Sequence, residues 1–309
     1  MKQRYGYAGV HLFDRASGLN ILVDEKPVPR TKWSVAPRYM SFALTNACEL
    51  ACSYCYASKA PAKLRPELIE RWARELDEAG CFGIGFGGGE PTLFPGFAQL
   101  CREVHSATDL AITMTTHGHR FDAALVDRLS GNIEFIRLSM DGIGSTYEGL
   151  RGRPFSVFKE KLGLVRATAR FGINYVVNAD TIDDLQRAAE FAIDNGAEEL
   201  LLLPETLPSG TLSLGPKLME RLSSWVRQNY KSCRLATSAH GGLYIEAPML
   251  MVSDPAYETF DFMHVDALGV LKPSAFATRG IPLRHDTTII QSIERVRELH
   301  TQRPEETVQ

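Results

Sequence analysis

Apolar positions in this chain fall into short compact runs separated by longer amphipathic stretches. From residue 39 onward, runs at 40–44, 82–86, 110–115, 135–139, 173–177 and 199–203 have strand length. Between them, 66–79, 96–106, 122–130, 156–170 and 182–195 set apolar side chains three and four apart against charged ones, the period of a helix with one buried face. Six strands alternating with helices predict parallel βα units, in an open or a barrel-like sheet. Ahead of them, 10–13 and 19–23 flank a turn at Ala16-Ser17-Gly18 and predict a β-hairpin, ended by a stretch containing Pro27, Pro29 and Pro37. After Pro204 the pattern weakens: 216–230 and 287–300 read as helices, 243–252 and 262–272 as strands. The organisation expected is a lead-in over 1–38, a core over 39–205 and a C-terminal extension over 206–309.

Composition narrows the function classes. With 309 residues, 44% hydrophobic and 23% charged, the chain can bury a full core. A net charge of −3 gives no electrostatic footprint for nucleic acid. No apolar run approaches the roughly 20 residues of a membrane span, and the N-terminus lacks the apolar stretch of a signal peptide, so the location expected is cytoplasmic. Three of the six cysteines fall within eight residues. In a chain without an export signal, clustered thiols point to metal ligation rather than disulfides.

The cysteine segment follows the first core strand and reads Thr45-Asn46-Ala47-Cys48-Glu49-Leu50-Ala51-Cys52-Ser53-Tyr54-Cys55. Thiolates at Cys48, Cys52 and Cys55, spaced C-x3-C-x2-C on a loop, can converge on one iron–sulfur centre. A structural zinc site takes four protein ligands, and no fourth lies close by in sequence. After the second strand comes Gly85-Phe86-Gly87-Gly88-Gly89-Glu90-Pro91. Consecutive glycines let backbone approach a ligand, and Glu90 can anchor an amino group.

These two motifs, one βα unit apart, resemble those of the radical S-adenosylmethionine superfamily. The resemblance covers roughly 39–205 and implies an α/β fold: a partial (βα)6 TIM-like barrel, here with a short N-terminal hairpin and a small α+β extension. It implies one 4Fe–4S cluster on Cys48, Cys52 and Cys55, with the open iron chelated by S-adenosylmethionine. Cofactor contacts implied in the same way are Tyr54 beside the adenine, Gly88, Gly89 and Glu90 at the methionine amino group, Ser139 ending the fourth strand, and Arg151 or Arg153 at the carboxylate. The chemistry implied is reductive cleavage to a 5′-deoxyadenosyl radical that abstracts hydrogen from a substrate, fed by a flavodoxin- or ferredoxin-type reductant. No catalytic residue beyond these contacts is assigned.

Relatives with this core often carry a SPASM or twitch extension holding auxiliary clusters. Residues 264–273 are similar to the strand pair that opens one, but Pro273-Ser274-Ala275 stands where a cysteine is expected. A single cluster is therefore expected, with Cys81, Cys101 and Cys233 as buried structural thiols. His117 occupies the usual place of an asparagine, and His119, Asn174, Asn178 and Glu205 are further candidate polar groups near strand ends. Three functions compete: a radical enzyme on a peptide or protein side chain, one on a small molecule such as a nucleoside, sugar or amino acid, and a non-catalytic metal-binding module.

Overall fold

The computed structural model describes residues 1–25, 27–207, 211–229, 234–238, 241–248 and 261–301. Six parallel strands form its centre: β4 (Tyr39–Thr45), β5 (Gly83–Gly88), β6 (Ala111–Thr116), β7 (Phe135–Ser139), β8 (Arg170–Val177) and β9 (Leu200–Pro204), each hydrogen-bonded to the next. All six were legible as apolar runs, because a parallel strand covered on both faces carries few polar positions. With its connecting helices this sheet is the partial (βα)6 TIM-like architecture expected from the sequence. The helices are α1 (Pro66–Glu78), α2 (Phe97–Ala107), α3 (Ala123–Leu129), α4 (Ser145–Arg151), α5 (Phe155–Thr168) and α6 (Leu185–Asp194). In α1, Pro66 takes the first position, where its missing N–H costs nothing, and Ile69, Trp72, Ala73 and Leu76 form the buried stripe. Two features of these helices were not anticipated. The helix expected over 182–195 opens as a 3-10 turn at Ile182–Asp184, and the two-turn α4 has too few residues to display a period.

The glycines of β5 have two different causes. A Cβ on Gly83 or Gly85 would lie 3.0 and 2.9 Å from the Tyr39 side chain, which crosses that face to pair its hydroxyl with Thr113. The opposite positions, Ile84 and Phe86, pack toward the helices, with Phe86 edge-on to Phe97 at 6.1 Å. Gly88 and Gly89 belong instead to the strand end and the site.

The lead-in folds as three strands rather than a hairpin: β1 (Lys2–Gly6), β2 (Gly9–Phe13) and β3 (Asn20–Val23), antiparallel in that order. β1 escaped sequence reading because Lys2-Gln3-Arg4 carries no apolar alternation. This sheet covers the N-terminal end of the core strands. Phe13 stacks on Phe82 at 5.1 Å, Arg15 donates to the Thr108 carbonyl at 2.7 Å, and Arg4 donates to the Ala36 carbonyl at 2.7 Å.

Residues after 205 extend the core sheet at both edges. β10 (Leu235–Thr237) adds parallel to β9, while β11 (Phe262–Val265) adds parallel to β4. β12 (Val270–Lys272) and β13 (Ile281–Pro282) continue antiparallel from β11. Helices α7 (Pro216–Asn229) and α8 (Ile289–Thr301) lie where the period placed them. The strand expected over 243–252 does not form in its described part, where a 3-10 turn at Gly241–Leu243 runs into irregular chain. Among the described residues, no helix is long and apolar enough to cross a membrane.

Candidate active site

The C-terminal ends of parallel strands are where βα units place their ligands, and the motif residues gather there. The loop after β4 carries Cys48, Cys52 and Cys55, all three partly buried and none in a disulfide. The backbone N–H of Leu50 points at the Cys48 sulfur at 3.4 Å. Burial pushes the Cys48 thiol up, and the nearby carboxylates of Glu90 and Glu49 add to the rise. Cys81 and Cys101 lie away from this loop, fully buried, and burial raises both thiols, Cys81 to about 11. Cys233 lies outside the described residues.

The glycine motif is stitched to the cysteine loop by its backbone. The N–H of Gly89 donates to the Thr45 carbonyl at 2.7 Å, and that of Glu90 to the Ala47 carbonyl at 2.8 Å. Gly88 adopts φ +115°, in the left-handed region where a side chain is strained. A Cβ on Gly89 would come within 2.2 Å of the Ala47 carbonyl oxygen. Glycine is thus required here by the approach of the cysteine loop itself. Gly87, by contrast, faces open space.

Glu90 is completely buried and ties β5 to β6. One carboxylate oxygen accepts from the Thr92 N–H at 3.2 Å, the Thr92 hydroxyl at 2.6 Å and the Thr116 hydroxyl at 2.8 Å. The other accepts from the His117 N–H at 3.1 Å and is the less loaded of the two.

A second cluster links the cysteine loop to β7. The Tyr54 hydroxyl and the Arg151 guanidinium both donate to one oxygen of Asp141, whose other oxygen accepts from the Val176 N–H at 2.7 Å. The Arg151 guanidinium also stands 5.8 Å over the Tyr54 ring. Burial and the charge of Asp141 push the Tyr54 hydroxyl up, so it stays protonated and donates. Burial pulls the Arg151 guanidinium down, but Asp141, Tyr54 and Cys52 outweigh it and the group ends above its ordinary value. The Nε of Arg151 is buried and has no hydrogen-bond partner. Arg153 is fully outside this cluster and exposed. Gly152, with φ +63°, caps α4 in the left-handed conformation and turns the chain outward between the two arginines.

Ser139 ends β7 in register with Asn174 of β8, whose buried side-chain oxygen has no partner. Asn178 donates to Glu205 at 2.8 Å, and its own oxygen caps the turn at Asp180 and Thr181. His117 lies 3.3 Å from carboxylates of both Glu49 and Glu90. The His119 ring is 5.1 Å from it and pairs with the Tyr147 hydroxyl at 3.0 Å. Burial, reinforced by His117, Arg153 and Arg151, lowers His119 to about 4, so its ring is neutral at neutral pH. Asp141, Glu49 and Tyr147 received no role from the sequence. An acidic residue two steps beyond a strand end is the only local signal Asp141 offered.

Parallel βα units with a three-thiol loop at their C-terminal mouth define a class of metal-cofactor barrel. The chain belongs to the Radical SAM superfamily, whose sequence profile matches residues 42–192. It is 33% identical over 174 residues to the PqqA peptide cyclase of Ruegeria pomeroyi, a match covering 53% of this chain and 46% of that protein. It is 31% identical over 166 residues to the sporulation killing factor maturation protein SkfB of Bacillus subtilis, covering 49% of this chain and 39% of the relative. The chain therefore spans less than half the length of these two relatives. Among solved structures, Streptococcus suis SuiB bound to S-adenosylmethionine superposes with a TM-score of 0.70 at 15% identity, over 94% of this chain and 84% of the other. The superfamily's cofactors are a 4Fe–4S cluster and S-adenosylmethionine. The donor set here fits them, with three unpaired thiols on one loop, open space at Gly87, and a buried, unclaimed guanidinium N–H at Arg151.

Proposed function

We propose that this chain is a radical S-adenosylmethionine enzyme that abstracts hydrogen from a peptide or protein side chain. The observation that carries the reading is the joining of the cysteine loop to both β5 and β7, through Gly89, Glu90 and the Tyr54–Asp141–Arg151 cluster. Such a mouth is pre-shaped before any cofactor enters, which lowers the ordering cost of binding.

Cys48, Cys52 and Cys55 would hold the cluster as thiolates. When bound, the cluster and S-adenosylmethionine supply the one-electron cleavage and the 5′-deoxyadenosyl radical. The chain's own residues bind, orient and exclude water. Tyr54, within the cysteine loop, would flank the adenine, its hydroxyl fixed by Asp141. Arg151, rather than Arg153, presents the buried N–H for the carboxylate of S-adenosylmethionine. Gly88 and Gly89 hold backbone against the loop, and the less loaded oxygen of Glu90 is available to an amino group. Ser139 and Asn174 supply polar groups at the strand ends. Reducing equivalents would come from a flavodoxin- or ferredoxin-type protein.

The peptide reading draws on two relatives, a PqqA peptide cyclase and a sporulation killing factor maturation protein. A surface pocket of about 460 Å3 lies beside the cysteine loop, lined by Thr45, Asn46, Ala47, Lys59, Pro61 and Lys63. A small-molecule substrate is favoured by one observation, the unpartnered buried oxygen of Asn174 at the strand ends.

Electron paramagnetic resonance of the anaerobically reconstituted, dithionite-reduced protein tests the site. A four-iron signal that changes shape on adding S-adenosylmethionine is expected. Arg151→Ala should weaken the S-adenosylmethionine response at least 10-fold in concentration, while Arg153→Ala should leave it alone. A colourless protein retaining zinc, or a signal indifferent to S-adenosylmethionine, would contradict the reading.

A further inference from the structure

His117 is the residue the reading above leaves without a task. Its ring is 3% exposed, and its tautomer is fixed by the backbone. The N–H of His119 donates to Nδ1 at 3.1 Å, so Nδ1 is the lone-pair nitrogen and Nε2 carries the hydrogen in the neutral ring. That Nε2–H lies 3.3 Å from an oxygen of Glu49 and 3.3 Å from one of Glu90, yet it is aligned for a hydrogen bond with neither. A buried N–H that is straight toward neither of two nearby carboxylates calls for a better-placed acceptor. The third atom of the same small space is a sulfur. Cys48 Sγ, a Glu49 oxygen and a His117 ring nitrogen lie within 4.8 Å of one another.

Resting on the cluster reading, we propose that His117 donates its Nε2 hydrogen to the sulfur at the Cys48 corner of the cluster and thereby raises the cluster's reduction potential. Two features of the site give the donor a purpose. Glu49 and Glu90 both bring negative charge toward Cys48, and negative charge disfavours adding an electron to the cluster. An N–H aimed at sulfur stabilises the reduced form and offsets that charge. Arg120, 3.7 Å from Glu49, is too exposed to do the same work at the buried end. His117 thus acts on the cluster's electronics and is a positioning residue for its charge.

The alternative is that the ring is only a strut between two carboxylates. The two differ in the midpoint potential of the reconstituted cluster without S-adenosylmethionine, measured by EPR-monitored titration of wild type, His117→Ala, His117→Phe and His117→Gln. The proposal expects a more negative midpoint for the Ala and Phe variants. The Gln variant, whose amide N–H can reach the same space, is expected to stay near wild type. Phe keeps the volume, so a shift shared by Ala and Phe is not a packing effect. Wild-type midpoints in Ala and Phe would overturn the proposal. So would an equal shift, or an equal loss of iron, in all three variants. A wild-type protein that takes up no four-iron cluster would instead remove the reading on which the proposal stands.

Discussion

At the scale of single residues, the site is held by one carboxylate that belongs to neither motif. Asp141 receives Tyr54 from 87 positions away and Arg151 from 10, and only the fold makes them neighbours. Its side chain is 1% exposed and that of Arg151 9%, so Asp141→Ala would leave an unpaired buried cation. A loss of about 3–5 kcal/mol is expected in urea denaturation, together with weaker retention of S-adenosylmethionine. A loss under about 1 kcal/mol would mean that the arginine escapes to water. The cysteines were legible because ligand spacing on one loop is a local property. Arg151 and Arg153 were not separable, since the left-handed turn at Gly152 that sends one inward and the other out is invisible in Arg-Gly-Arg.

At the scale of elements, the periods of the core spoke clearly. All six strands and five of its helices were read within a few residues, because each buries a face and so must repeat. α4 and β1 were missed for the opposite reason: α4 is too short to show a period, and β1 pairs through its backbone while Lys2, Gln3 and Arg4 reach sideways to Asp77, Tyr5 and the Ala36 carbonyl. The glycine motif was read as a ligand approach, and the structure adds a second cause, the close packing of the β5 end on the cysteine loop. Gly89→Ala puts a Cβ 2.2 Å from the Ala47 carbonyl, which is backbone and cannot swing away. The loop must then move, and the variant is expected to lose more than about 1 kcal/mol and to take up less iron on reconstitution than Gly87→Ala, which meets nothing. Equal iron in the two variants would show that the contact is dispensable.

At the scale of the whole molecule, added strands at both edges of the core tie residues after 205 to the barrel, and partly buried histidines tie stability to pH. His264 of β11 pairs its Nδ1 with the Ser41 hydroxyl at 2.7 Å, and burial lowers it from 6.5 to about 4. The unfolded chain then binds a proton below pH 6.5 that the native protein refuses until about pH 4. Stability from this group is complete above pH 6.5 and falls as pH drops through that window, by up to about 1.4 kcal/mol per pH unit. His11 and His119 shift in the same direction. His264→Gln, which keeps a partner for Ser41 and does not titrate, should flatten the decline in denaturation midpoint between pH 6.5 and 4, and an unchanged slope would contradict this.

The central claim is that the three-thiol mouth performs radical chemistry, and the most direct measurement is 5′-deoxyadenosine formed by the reconstituted protein with dithionite and S-adenosylmethionine. The wild-type chain is expected to form 5′-deoxyadenosine, and Cys52→Ala, which lacks one of the three ligands, is expected to form none. A protein with a full four-iron cluster that forms none, or a Cys52→Ala variant that forms as much as wild type, would contradict it.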